Sequence, residues 1–197
     1  MKANSSEIFS RIQAELKANG YREKDVTFSS GKATVFGVLY ALPFITILGL
    51  LYRFLLLERA HVSETGGLSF PIMFIAIIVI SVVIHELLHG IGWALSSGKG
   101  WQAVRFNIHA MMPSCACKAA LKKESYLAGV LAPFVVLGLG SILFVFIYPG
   151  RVSSLTMMVN FVAAGADLLI AARVVKEGGC LIADHPTKAG YIAFYKE

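Results

Sequence analysis

Residues 71–95 read PIMFIAIIVISVVIHELLHGIGWAL. Apart from Glu86 the run has no formal charge. At about 1.5 Å of rise per residue, a helix of this length crosses a hydrocarbon core about 30 Å thick. Three further stretches have the same character, at about 33–57, 126–148 and 153–175. The pattern predicts an all-α polytopic membrane protein with four transmembrane helices. A 32-residue polar segment precedes the first run, which is too long for a cleaved signal peptide.

Composition points the same way. The 197 residues are 56% hydrophobic and only 15% charged, with a mean hydropathy of +0.68. A soluble domain carries roughly 25% charge. The chain is too apolar for disorder, and three cysteines cannot make a disulfide framework. The net charge of +6 first suggests nucleic acid. Its distribution says otherwise. Of the 18 Lys and Arg, all but Arg53, Arg59 and Arg151 fall on one side of the predicted spans. This is a topology signal, which puts both termini in the cytoplasm and argues against a nucleic-acid partner. Cys115, Cys117 and Cys180 then lie in or near a reducing compartment.

Three regions follow. Residues 1–32 form a cytoplasmic segment, 33–175 the membrane domain, and 176–197 a cytoplasmic tail. Within the first, 5–19 reads as an amphipathic helix with Ile8, Phe9, Ile12 and Leu16 on one side and Gly20 at its end. It can lie on the inner membrane surface or on the protein's own cytoplasmic loop. Val26–Phe28 suits a short strand. The loop 96–124 is the longest connection and carries a short β element, since 104–108 alternates apolar and polar residues.

Within the second span, His85-Glu86-Leu87-Leu88-His89 is an H-E-x-x-H sequence. Histidines four apart on a helix share a face, so both imidazoles can reach one Zn2+ with Glu86 beside it to act on a water. A third protein ligand is needed. The soluble extension H-E-x-x-H-x-x-G-x-x-H has its glycine at Gly92, but Leu95 stands at the last position. Only Glu86 and Asp167 among the acids lie within the spans. Each of His85 and Asp167 is 14 residues into an outside-to-inside span, about 21 Å deep. Asp167 is therefore the expected third ligand, and the small residues 163–166 let its helix approach the second span. Asn160 lies two turns away on nearly the same face and can bind a peptide carbonyl, orient a ligand or join helices. His109 is a candidate for a second metal or substrate contact. Cys115 and Cys117 are too closely spaced for a usual structural zinc site. Asp184-His185 reads as a turn before Pro186.

The H-E-x-x-H helix, the later Asn160 and Asp167, the intervening strand and Gly129-Val130-Leu131-Ala132-Pro133 resemble the layout of site-2-protease-like intramembrane zinc metallopeptidases. Cys115-Ala116-Cys117-Lys118, Ala132-Pro133-Phe134 and Gly165-Ala166-Asp167 resemble blocks of the small bacterial membrane zincin peptidases. The likeness covers about residues 80–175, with a weaker echo at Asp184-His185-Pro186. It implies Zn2+ on His85, His89 and Asp167, with Glu86 as general base. The chain departs from the site-2-protease pattern at Ala163, where a proline is usual, and at Leu168, where a glycine is usual.

The resulting expectation is hydrolysis of a peptide bond in a membrane-associated protein near the cytoplasmic face of a bacterial cytoplasmic membrane. An extended substrate would add to a strand near Val104–Ile108. The partners are then the lipid bilayer, the substrate protein and possible regulatory proteins or further copies of the chain. The alternatives are a non-catalytic zinc-binding protein that regulates a partner, and a membrane protein that conducts ions or protons.

Overall fold

A computed structural model describes residues 5–55, 69–109 and 112–197. In chain order, helix α1 (Ser5–Ala18) and strand β1 (Tyr21–Phe28) precede two long helices, α2 (Ser30–Leu55) and α3 (Ser69–Ser96). A short hairpin follows, β2 (Val104–His109) and β3 (Met112–Cys117), and then β4 (Leu121–Lys122). The third apolar run is one helical rod in three pieces: α4 (Lys123–Pro133), a π turn (Phe134–Gly138) and α5 (Leu139–Ile147). Proline has no N–H to give to the preceding turn, and the widened turn begins immediately after Pro133. Helix α6 (Arg151–Val174) and strands β5 (Cys180–Asp184) and β6 (Ala189–Lys196) complete the chain.

Among the described residues, four helical stretches are long and apolar enough to cross a membrane, with mean hydropathy from 1.8 to 2.7. They fall within a few residues of the runs read from the sequence. Their outward faces are strongly apolar: Ile47, Ile75 and Leu143 are 58%, 60% and 61% exposed.

The all-α expectation needs correction. The two ends of the chain, with β4 from the central loop, build a four-stranded antiparallel sheet in the order β1-β6-β5-β4. Tyr21 pairs with Lys196 and Phe28 with Ala189, so the N-terminal segment and the C-terminal tail are hydrogen-bonded along their length. Alternation explains the sheet's place. Tyr191 and Ala193 of β6 pack with Trp93, Tyr126 and Val174 of the helices. Ile192 and Phe194, on the opposite face, pack with Phe9 and Leu16 of α1. The apolar side of α1 thus covers the protein's own sheet, where its sequence pattern suggests the membrane surface or the cytoplasmic loop.

Helices α2 and α6 meet backbone to backbone. A Cβ at Gly165 would lie 2.1 Å from the carbonyl oxygen of Gly37. The small-residue stretch of α6 therefore turns Gly165 toward α2, and not toward α3 as expected, while Ala163 and Ala166 line a cavity beside Asp167.

Candidate metal centre

One turn of α3 separates His85 from His89. Their Nε2 atoms lie 3.1 Å apart, and both residues are buried. Asp167 of α6 meets them at the same level, with Oδ2 3.1 Å from His85 Nε2 and Oδ1 3.5 Å from His89 Nε2. Arg173, a conceivable partner for this carboxylate, instead lies over the Phe28 ring, 6.0 Å from its centre.

The position of His89 is built by glycines and a proline. A Cβ at Gly92 would lie 2.7 Å from the Gly129 Cα, and a Cβ at Gly129 would lie 2.1 Å from the Trp93 ring, so α3 and α4 come very close here. In a regular helix the Gly129 carbonyl would accept the N–H of residue 133. That residue is Pro133, which has none. The carbonyl lies 2.9 Å from His89 Nδ1. Nδ1–H therefore donates to Gly129, and Nε2 is left with its lone pair toward His85 and Asp167. The Trp93 indole stacks on His89, with centroids 5.4 Å apart, and donates its N–H to the Tyr126 carbonyl at 3.1 Å.

These residues fit a zinc ion. One ligand atom from each of His85, His89 and Asp167 lies within 4.8 Å of the others, the group among the described residues that can hold a metal. Tetrahedral zinc with Zn–N bonds of about 2.0–2.1 Å sets two nitrogens about 3.3 Å apart, and the observed separation is 3.1 Å. Asp167 Oδ2 is buried without a hydrogen-bond partner despite its approach to His85. A buried, unsatisfied carboxylate oxygen facing two imidazole nitrogens is an arrangement that a cation completes.

Glu86 points to the other flank of the same helical turn. Its Oε2 accepts the Cys115 N–H of β3 at 2.5 Å. Strand β3 pairs with β2 from Val104↔Cys117 to His109↔Met112. The expected 104–108 strand is present as β2, while the strand beside Glu86 is its partner β3. Its next outward N–H, at Cys117, donates to Asp184 Oδ2 at 2.6 Å. Burial pushes both thiols up, that of Cys117 to about 12, so neither is a thiolate at neutral pH. Together these elements enclose a cavity of about 910 Å³, lined by His85, Glu86, His89 and Asp167 and also by β3, α1 and the β5–β6 turn.

Of the other residues singled out by sequence, Asn160 does not join the site. It is buried one helix contact away, its amide donating to the Leu137 carbonyl in the π turn at 3.4 Å, and it does not line the cavity. His109 ends β2, and its side chain lies outside the described residues. Asp184, read as part of a turn, in fact ends a strand and lines the cavity. Its sequence signal was the apolar run Leu181–Ala183 before it, which marks a buried strand.

The fold and site define a mostly helical protein whose two histidines and one aspartate can hold a metal ion. More narrowly, the chain belongs to the family described as "Putative zincin peptidase", whose model matches residues 77–180, about half of the sequence. Membership points to a zinc metallopeptidase, and the matched stretch contains Glu86 and all three donors. No curated protein and no solved structure matches the chain.

Proposed function

We propose that the chain is a membrane-embedded zinc metallopeptidase that hydrolyses a peptide bond of a membrane-associated protein near the cytoplasmic face. The observation that carries this reading is the convergence of His85, His89 and Asp167 with Glu86 on the adjoining flank, all lining one cavity. The apolar outward faces of the four long helices and the one-sided distribution of Lys and Arg support the membrane setting and cytoplasmic termini.

Zinc, when bound, supplies an acidified water and an electrophile for the scissile carbonyl. The protein's own residues do the rest. His85, His89 and Asp167 are the ligands. The Gly129 carbonyl keeps the proton of His89 on Nδ1. Cys115 N–H holds Glu86 Oε2, which leaves Oε1 to take the proton of the attacking water. The water oxygen bonds to the carbonyl carbon as that proton leaves, and Glu86 then returns the proton to the leaving nitrogen as the C–N bond breaks. An extended substrate would lie along the cavity beside β3. Water enters the cavity between α1 and the two hairpins, because lipid itself supplies none.

The test compares membranes from cells expressing the wild type or Glu86→Gln and identifies protein termini by mass spectrometry. The proposal predicts new termini, close to membrane-spanning segments, that require Glu86. Identical termini in both, from a wild-type protein that carries zinc, would instead support a non-catalytic zinc-binding role.

A further inference from the structure

Strand β3 presents two outward N–H groups, two residues and about 6.8 Å apart along its edge, and each meets a carboxylate from a different element. Cys115 N–H donates to Glu86 of α3, and Cys117 N–H donates to Asp184 at the end of β5. The second oxygen of Asp184 accepts the Tyr126 hydroxyl at 2.5 Å. Asp184 therefore ties β3 to α4 and to the C-terminal sheet. It lies beyond residues 77–180, the stretch that the family model matches.

We propose that Asp184 is a positioning residue for Glu86: it fixes the edge of β3 at Cys117, and the fixed edge presents Cys115 N–H to the Glu86 carboxylate. The base of the hairpin is also packed, with Val104 and Cys117 buried in the core beside Trp93 and Tyr126. Phe106 and Val104 rest against α3 at Gly90, where an added Cβ would lie 2.6 Å from the Phe106 ring. These contacts are apolar and hold the face of the hairpin against the helix. The Cys117–Asp184 hydrogen bond adds a directional tie at the strand edge, and Tyr126 holds the other carboxylate oxygen. Burial outweighs the Tyr126 and Cys117 bonds and leaves the Asp184 carboxyl above its usual value, while the two bonds fix where it lies.

The test is residue-resolved hydrogen exchange on the full chain in detergent with zinc supplied, alongside zinc content and, on a cleaved substrate, kinetics. In Asp184→Ala the Cys115 amide, which Asp184 does not touch, is expected to exchange about tenfold faster, the scale of one lost hydrogen bond. Asp184→Asn, whose amide oxygen can still accept Cys117 N–H, is expected to restore most of the protection. Zinc per chain should stay the same, and kcat should fall about tenfold in the alanine variant with KM little changed. If Asp184→Ala does not fold, Tyr126→Phe is the second variant, and it should speed Cys115 exchange by a smaller factor. Unchanged Cys115 exchange in whichever of these variants folds would overturn the proposal, as would loss of zinc in Asp184→Ala or an asparagine variant no better than alanine. The kinetic arm rests on the peptidase reading and the exchange arm does not. A wild type that cleaves nothing, with the exchange coupling intact, would contradict the peptidase reading and still support the positioning role.

Discussion

His89 Nδ1 lies 2.9 Å from the carbonyl oxygen of Gly129, and that carbonyl is available because residue 133 is a proline. A defect in α4 thus becomes the hydrogen bond that sets the tautomer of a candidate ligand. Pro133→Ala should supply an N–H that competes for the same carbonyl. Zinc affinity, measured by competition with a chelator, is expected to fall about 10-fold to 100-fold, as when other outer partners of a ligand are lost. The helix itself should become more regular. Unchanged affinity would mean that the Gly129 contact does not orient His89.

Glu86→Gln separates metal binding from proton transfer. Glu86 is not among the three donors, so zinc content should match the wild type. Turnover of a cleaved substrate should drop by about 10²–10⁴, the usual contribution of a general base. Loss of zinc from this variant would instead place Glu86 among the ligands.

The contact between α2 and α6 predicts a stability effect away from the site. A Cβ at Gly165 would lie 2.1 Å from the Gly37 carbonyl oxygen, a backbone atom that cannot rotate away. Gly165→Ala should force the helices apart and destabilise the protein by about 1–3 kcal/mol, the range for overpacking. Thermal unfolding in detergent measures it, and Gly49→Ala, where an added Cβ meets nothing within 4 Å, is the control.

Glu177 gives a pH dependence. Burial works against its charge, but bonds from Tyr195, Lys24 and Tyr191 outweigh burial and hold its carboxyl below the usual range. Lys24 Nζ lies 3.0 Å from both carboxylate oxygens, and the Tyr191 hydroxyl lies 3.0 Å from one. A lowered folded-state pKa gives stability that is present above the unfolded value, about 4.3, and is lost as pH falls through the folded one. Glu177→Gln should therefore be less stable than the wild type at pH 7, with the gap closing below about pH 4. Denaturant titrations at several pH values measure this. A constant gap would contradict the assignment.

Much of this was legible in the sequence. Four apolar runs gave four long helices, because length and lack of charge are local properties. The H-E-x-x-H spacing put His85 and His89 on one face, and equal depth brought Asp167 to them. The sheet was harder to read. β1 and β6 are about 160 residues apart, and neither carries a short-range hairpin signal to the other. The tail shows apolar residues on both faces, since Tyr191 meets the helices and Ile192 meets α1. Asp184 became visible only through that sheet. Asn160 shares a helix face with Asp167, but its amide meets the Leu137 carbonyl in the π turn after Pro133, and periodicity cannot report such a turn.

The central claim is a single zinc ion held by His85, His89 and Asp167 from two helices. Metal content of the detergent-purified wild type, His85→Ala and Asp167→Ala tests it most directly. About one zinc per chain in the wild type and little or none in either variant is the predicted result. A wild type that takes up no zinc even when it is supplied, or an Asp167→Ala variant that binds zinc as the wild type does, would contradict it.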